Sequence, residues 1–128
     1  MASVRKHLRI DRSADDVWKV VTDVGNIADW FPMIESSSTA GTTRSCDIAG
    51  VGTLVEEIVT NDSELRRLQY RITEGVPVEH HLATVDVLDD GDTALVIYST
   101  DVRPDEMAGL MEASVEAGLG GLKAHLER

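Results

Sequence analysis

The apolar positions of this chain follow two periods, and the changes from one to the other mark out its elements. Over residues 4–10, Val4, Leu8 and Ile10 alternate with Arg5, His7 and Arg9, which predicts a strand with one buried face; Lys6 is the exception on the apolar side. Val17, Val20, Val21 and Val24 then recur at helical spacing, with Ser13 as N-cap and Asp16 three residues on. Gly25-Asn26 ends that helix, and residues 27–31 add one short helical turn before Pro32. Beyond it, residues 34–40, 43–48, 53–60, 65–73, 80–88 and 93–103 read as strands. Their boundaries are Gly41, Gly50-Val51-Gly52, Asn61-Asp62-Ser63-Glu64, a loop holding Gly75 and Pro77, and Asp89-Asp90-Gly91-Asp92. Pro104 opens a last helix, since its missing N–H costs nothing there. Met107, Leu110, Met111, Val115, Leu119, Leu122 and Leu126 carry its period to about residue 126. A helix of ~20 residues is ~30 Å long, enough to cross a sheet. Gly118, Gly120 and Gly121 lie inside it, at roughly 1 kcal/mol each against alanine. That cost predicts either close backbone packing or space kept for something else.

Strand alternation also assigns faces. Leu68, Tyr70 and Ile72 point inward from one strand, His81, Ala83, Val85 and Val87 from the next, and Val96, Tyr98, Thr100 and Val102 from the last. Residues 53–60 stay undecided by pattern, because Glu56 and Glu57 put a carboxylate on either face.

Composition narrows the function classes. The length of 128 residues suits one domain over residues 1–128, and an apolar fraction of 42% suits an ordinary core. A formal net charge of −11 repels polyanions, so neither nucleic acid nor an anionic membrane is the expected partner. No apolar run approaches the ~20 residues of a membrane span, and the alternating first ten residues do not read as a signal peptide. The single cysteine, Cys46, excludes an intrachain disulfide and a multi-cysteine metal site, and it suits a reducing, cytoplasmic setting. His80 and His81 fall on opposite strand faces and cannot share a metal, while the acidic turn at residues 89–92 lacks the calcium-loop pattern. With no phosphate loop, dinucleotide fingerprint or nucleophile elbow either, no metal and no cofactor is expected. Composition does not fix the oligomeric state.

Several runs follow one another in a telling order. Gly41-Thr42-Thr43-Arg44-Ser45-Cys46-Asp47-Ile48 leads through a glycine turn to Leu54-Val55-Glu56-Glu57-Ile58. An acidic turn then leads into Leu65-Arg66-Arg67-Leu68-Gln69-Tyr70-Arg71-Ile72. Upstream, Asp15, Val17 and Trp18 on the first helix precede a Trp30-Phe31-Pro32 corner. In order and spacing these runs resemble the START-like or SRPBCC superfamily of polyketide cyclase/dehydrase and lipid-transport proteins, over essentially the whole chain. The resemblance implies an α+β helix-grip fold. A curved antiparallel sheet of about seven strands wraps around the long C-terminal helix, with two short helices after the first strand. It turns Leu54, Glu56 and Ile58 inward and puts a ligand between sheet and helix. Glu56 then falls where the superfamily's hormone receptors have a cavity glutamate. Phe31 stands near their ligand-binding lysine, and their gate loop shrinks to Ala49-Gly50-Val51-Gly52. Both departures argue against an acidic hormone-type ligand and a latch.

The expected function is binding or carriage of a small, mostly apolar, lipid- or polyketide-like molecule. The alternative is aromatase/cyclase chemistry in the same cavity. The cavity is expected to hold at least a few hundred Å³, as ligand pockets do. Its wall should take Phe31, Met33, Leu54, Tyr70, Val96 and Tyr98 from the sheet side, and Leu110, Met111, Ser114 and Gly118 from the helix. Glu56 and His81, with the two tyrosines, would hold the polar end of the ligand. Two other readings stand beside this one. Glu56 and His81 can satisfy each other or a buried water within a structural core, or His81 can serve as general acid or base.

Overall fold

Alternating strands and tight turns give a chain that folds back on itself repeatedly, and the computed structural model describes residues 1–128. The elements are β1 (Ala2–Ile10), α1 (Ala14–Thr22), a 3-10 turn (Val24–Asp29), β2 (Ile34–Ala40), β3 (Thr43–Ile48), β4 (Gly52–Asp62), β5 (Arg67–Glu74), β6 (His80–Asp90), β7 (Thr93–Arg103), a 3-10 turn (Asp105–Met107) and α2 (Ala108–Leu126). The seven strands form one antiparallel sheet in the order β1-β7-β6-β5-β4-β3-β2, the α+β helix-grip architecture. No helix is long and apolar enough to cross a membrane.

The assigned faces hold. His81, Ala83, Val85 and Val87 of β6 and Ala94, Val96, Tyr98, Thr100 and Val102 of β7 are all buried. They build the core with Val115, Leu119 and Leu122 of α2 and Val17, Trp18 and Val21 of α1. Lys6, the polar exception on β1, pairs its ammonium with Glu112 of α2 at 3.2 Å. Ser13 caps α1 as its sequence position predicts, accepting the Asp16 N–H at 3.1 Å.

Several boundaries move. Helix α1 stops at Thr22, and Gly25-Asn26 belongs to the following 3-10 turn. Strand β4 runs on to Asp62, because Thr22 Oγ–H donates to Asn61 Oδ1 at 2.7 Å and ties the strand end to α1. The turn shifts by two residues to 63–66 at unchanged length, and Asp62 Oδ1 accepts the N–H groups of Glu64 and Leu65. Pro104 precedes a 3-10 turn rather than α2 itself, which starts at Ala108.

The sheet is not continuous. Strand β5 pairs with β6 only where Arg67–Tyr70 face Ala83–Asp86. Residues 71–74 and 80–82 diverge, although β6 stays paired with β7 from His80 to Asp90.

The glycines of α2 divide into two kinds. A Cβ on Gly121 would collide with the Trp30 carbonyl oxygen and come within 2.7 Å of Pro32 Cδ, whereas one on Gly120 meets nothing within 4 Å. Gly121→Ala is therefore expected to lower stability by about 1–3 kcal/mol, through overpacking against backbone that cannot yield. Gly120→Ala should raise it by about 0.5–1 kcal/mol, through helix propensity alone. Urea midpoints of the two variants check this; equal shifts would contradict it.

Candidate functional site

A buried ion pair anchors the interior. Strand β3 turns Arg44, Cys46 and Ile48 to one side, and the register sets Arg44 opposite Glu56 of β4. Arg44 is 1% exposed and Glu56 5%. Arg44 Nε donates to Glu56 Oε1 at 2.8 Å, and Nη2 lies 2.8 Å from the same oxygen without the angle for a hydrogen bond. Arg44 Nη1 donates to the Val24 carbonyl at 3.2 Å, and the guanidinium lies over the Tyr70 ring, 4.9 Å from its centroid. The Cys46 thiol donates to Glu56 Oε1 at 3.7 Å. Burial, followed by the Glu56 charge, pushes that thiol up to about 12, so it stays protonated and unreactive. A charge this deep needs a partner, and Arg44 supplies it.

Two further polar groups stand beside the pair. The Tyr70 and Tyr98 hydroxyls share a short, fully buried hydrogen bond. Desolvation raises both, Tyr98 to about 12 and Tyr70 well above the usual phenol range. His81 Nδ1 accepts the Ile72 N–H at 3.0 Å, and in a neutral ring that leaves the proton on Nε2. Burial, with a smaller contribution from His80, lowers His81 to about 4, so it is neutral at pH 7. The side chain occupies the break between β5 and β6, standing in for a ladder bond.

These groups border a chamber of about 60 Å³, lined by Glu56, Tyr70, His81, Tyr98, Thr100 and Ser114 among Ile27, Phe31, Ile34, Ile72 and Val115. A second hollow of about 190 Å³ lies toward the surface, walled by Val51, Val76, Leu110 and Met111. Met33, Ile48, Leu54, Ile72 and Ser114 border both spaces. Met33, Val51 and Leu110 are 38%, 70% and 52% exposed, so large apolar side chains ring the outer opening. On the far side of the sheet, a hollow of about 410 Å³ lies over the β5–β6 break, separated from the chamber by Ile72 and His81.

The expected wall is corrected in three respects. The space is two adjoining compartments, neither of the expected few hundred Å³, because the side chains of Phe31 and the tyrosine pair fill the middle of the grip. Gly118 does not face open space: a Cβ there would lie 2.8 Å from Phe31 Cε2 and 3.0 Å from Tyr98 Cε2, so the glycine makes room for rings of the protein itself. Val96 is fully buried in the core and borders neither compartment. Phe31, Met33, Leu54, Glu56, Tyr70, His81, Tyr98 and Ser114 border the inner chamber, and Leu110 and Met111 the outer hollow. Sequence reasoning left out Thr100 as a lining residue; Arg44 is one of the donors it offers a buried Glu56, beside Tyr70, His81 and water, and the structure selects it. The signal for Arg44 was present, since it is in phase with Cys46 and Ile48.

Solved structures share this fold. An uncharacterized protein from Bacillus thuringiensis is 26% identical, with a TM-score of 0.92 over 99% of this chain and 100% of that one. A START superfamily protein from Mycobacterium smegmatis, 16% identical, superimposes with a TM-score of 0.84 over 98% and 97% of the two chains. The ZhuI aromatase/cyclase from Streptomyces sp. R1128, 24% identical, gives 0.79 over 99% and 94%. The last two likenesses show the common fold alone. No curated protein matches the chain. The family model described as polyketide cyclase/dehydrase and lipid transport matches residues 1–127, and with the helix-grip fold around it this chain belongs to that family.

Proposed function

We propose that the chain binds or carries a small, mostly apolar molecule between the sheet and α2. The apolar body would lie in the outer hollow, and the polar end would enter the chamber bounded by Glu56, His81 and the tyrosine pair. The observation that carries this reading is the direct junction of an exposed apolar opening with a buried, mostly apolar chamber into which Glu56, His81, Thr100 and Ser114 bring a few polar groups. Both spaces fall below the ~300–1,000 Å³ usual for drug-sized ligands, which favours a compact molecule over a long-chain lipid. A single domain over residues 1–128 and a cytoplasmic setting belong to the same proposal.

An aromatase/cyclase-type reaction is the second reading, favoured by the convergence of Glu56, His81, Tyr70 and Tyr98 on one chamber. Against it, the His81 imidazole at about 4 and the Tyr98 phenol at about 12 are both far from neutrality, where proton transfer is most effective. One experiment separates the two. Native mass spectrometry of protein purified from its own host is expected to show a retained small molecule, returned unchanged after incubation with fresh protein. A molecule converted on incubation supports the enzyme. No retained molecule, together with no displaceable binding of an apolar fluorescent dye, overturns the binding reading.

A further inference from the structure

Resting on that binding reading, we infer that the inner chamber selects a neutral hydroxyl, an alcohol or phenol, as the polar end of its ligand and rejects a carboxylate. The first ground is the way the ion pair is turned. Arg44 spends its donors on Glu56 Oε1 and the Val24 carbonyl and lies against the face of Tyr70, and it does not line the chamber. Glu56 does line it. Oε1 takes Arg44 and Cys46, while Oε2 receives no hydrogen bond from the protein and is not sealed from the chamber. The chamber therefore meets the anionic half of the pair and not the cationic half.

The second ground is the remaining inventory. His81 offers Nε2–H, because Nδ1 is committed to Ile72. The Thr100 and Ser114 hydroxyls, both bordering the chamber, have no protein partner and can rotate to donate or accept. The site thus presents one charged acceptor and several neutral donors. A ligand hydroxyl, itself donor and acceptor, satisfies both kinds at once, and its bond to Oε2 is charge-assisted. A carboxylate can use only the neutral donors, and must sit beside Glu56 with the compensating cation behind it. An ammonium gains Oε2, but it must give up its hydration next to a pair that is already neutral. Space agrees with this choice. About 60 Å³ accepts a hydroxyl and the carbons next to it, and leaves the ring or chain to the apolar hollow outside.

The test uses four probes that share one apolar body: 2-naphthol, 2-methylnaphthalene, 2-naphthoate and the 2-naphthylmethylammonium ion, titrated calorimetrically at pH 7. The naphthol is expected to bind about tenfold or more tightly than each of the other three, as a hydrogen bond to a charged group allows. Glu56→Gln alone leaves Arg44 buried without its partner, so the informative variant is Arg44→Met/Glu56→Gln. In it the naphthol advantage over methylnaphthalene should shrink to about threefold or less, an uncharged hydrogen bond remaining. Naphthoate or the ammonium ion binding as tightly as naphthol overturns the inference, as does naphthol binding no better than methylnaphthalene; the binding reading survives each of these. Failure of all four to bind at millimolar concentration removes the binding reading itself.

Discussion

Arg44→Met lowers the stability of the fold by about 3–5 kcal/mol, and adding Glu56→Gln restores most of the loss. The single variant leaves the Glu56 carboxylate in the interior with the Cys46 thiol as its one remaining protein donor. It also removes the cation from the face of Tyr70 and the guanidinium hydrogen bond to the Val24 carbonyl. The double variant removes both charges, and a well-packed neutral pair of similar volume commonly stands about as well as a buried ion pair. Urea denaturation at pH 7 gives both values. If the two variants are equally destabilised, the damage lies in the lost packing of the arginine side chain and not in a stranded charge.

Acidification from pH 6.5 to pH 4 costs the fold on the order of 3 kcal/mol through His81 alone. In the unfolded chain the imidazole takes a proton near its ordinary value of about 6.5. In the folded chain burial holds it down to about 4. Between those limits the unfolded state binds the proton and the folded state does not, so stability falls as pH falls. Above pH 6.5 the ring is neutral in both states and contributes no slope; below about pH 4 the penalty stops growing. His81→Gln keeps a side-chain acceptor for the Ile72 N–H and removes the titration. Its urea midpoint should therefore decline less steeply than that of the parent protein over the same range. Parallel pH profiles would show that His81 protonates without hindrance inside the fold.

Strands β6 and β7 were legible residue by residue because each buries one face along its whole length, so the period of two is hardly interrupted. Lys6 broke the period of β1 without changing its face, since a long stem can reach Glu112 while its backbone stays in register. Strand β4 was not legible alone. Adjacent glutamates give no preference, and only the pairing with Arg44 across the strands makes Glu56 the buried one. The helix glycines misled for a related reason. A glycine that keeps space for a ligand and one that keeps space for Phe31 and Tyr98 read alike, because the occupant comes from distant parts of the chain. The size of the chamber was illegible too. Volume is what remains after large rings have chosen their rotamers, and no periodicity encodes that remainder.

The break between β5 and β6 sets how the interior responds to an occupant. Forcing β6 from β7 would tear a ladder that runs from His80 to Asp90. Spreading the diverged ends of β5 and β6 strains one hydrogen bond, from the Ile72 amide to the His81 ring. The grip is thus stiff on one flank and compliant on the other, and the compliant flank adjoins the polar end of the chamber. Under the binding proposed above, a guest slightly too large for the resting space would be met by movement of the β5 end together with its β4 partner, and not by parting β6 from β7. The capacity of the chamber would then depend on the stiffness of one wall as much as on its volume at rest.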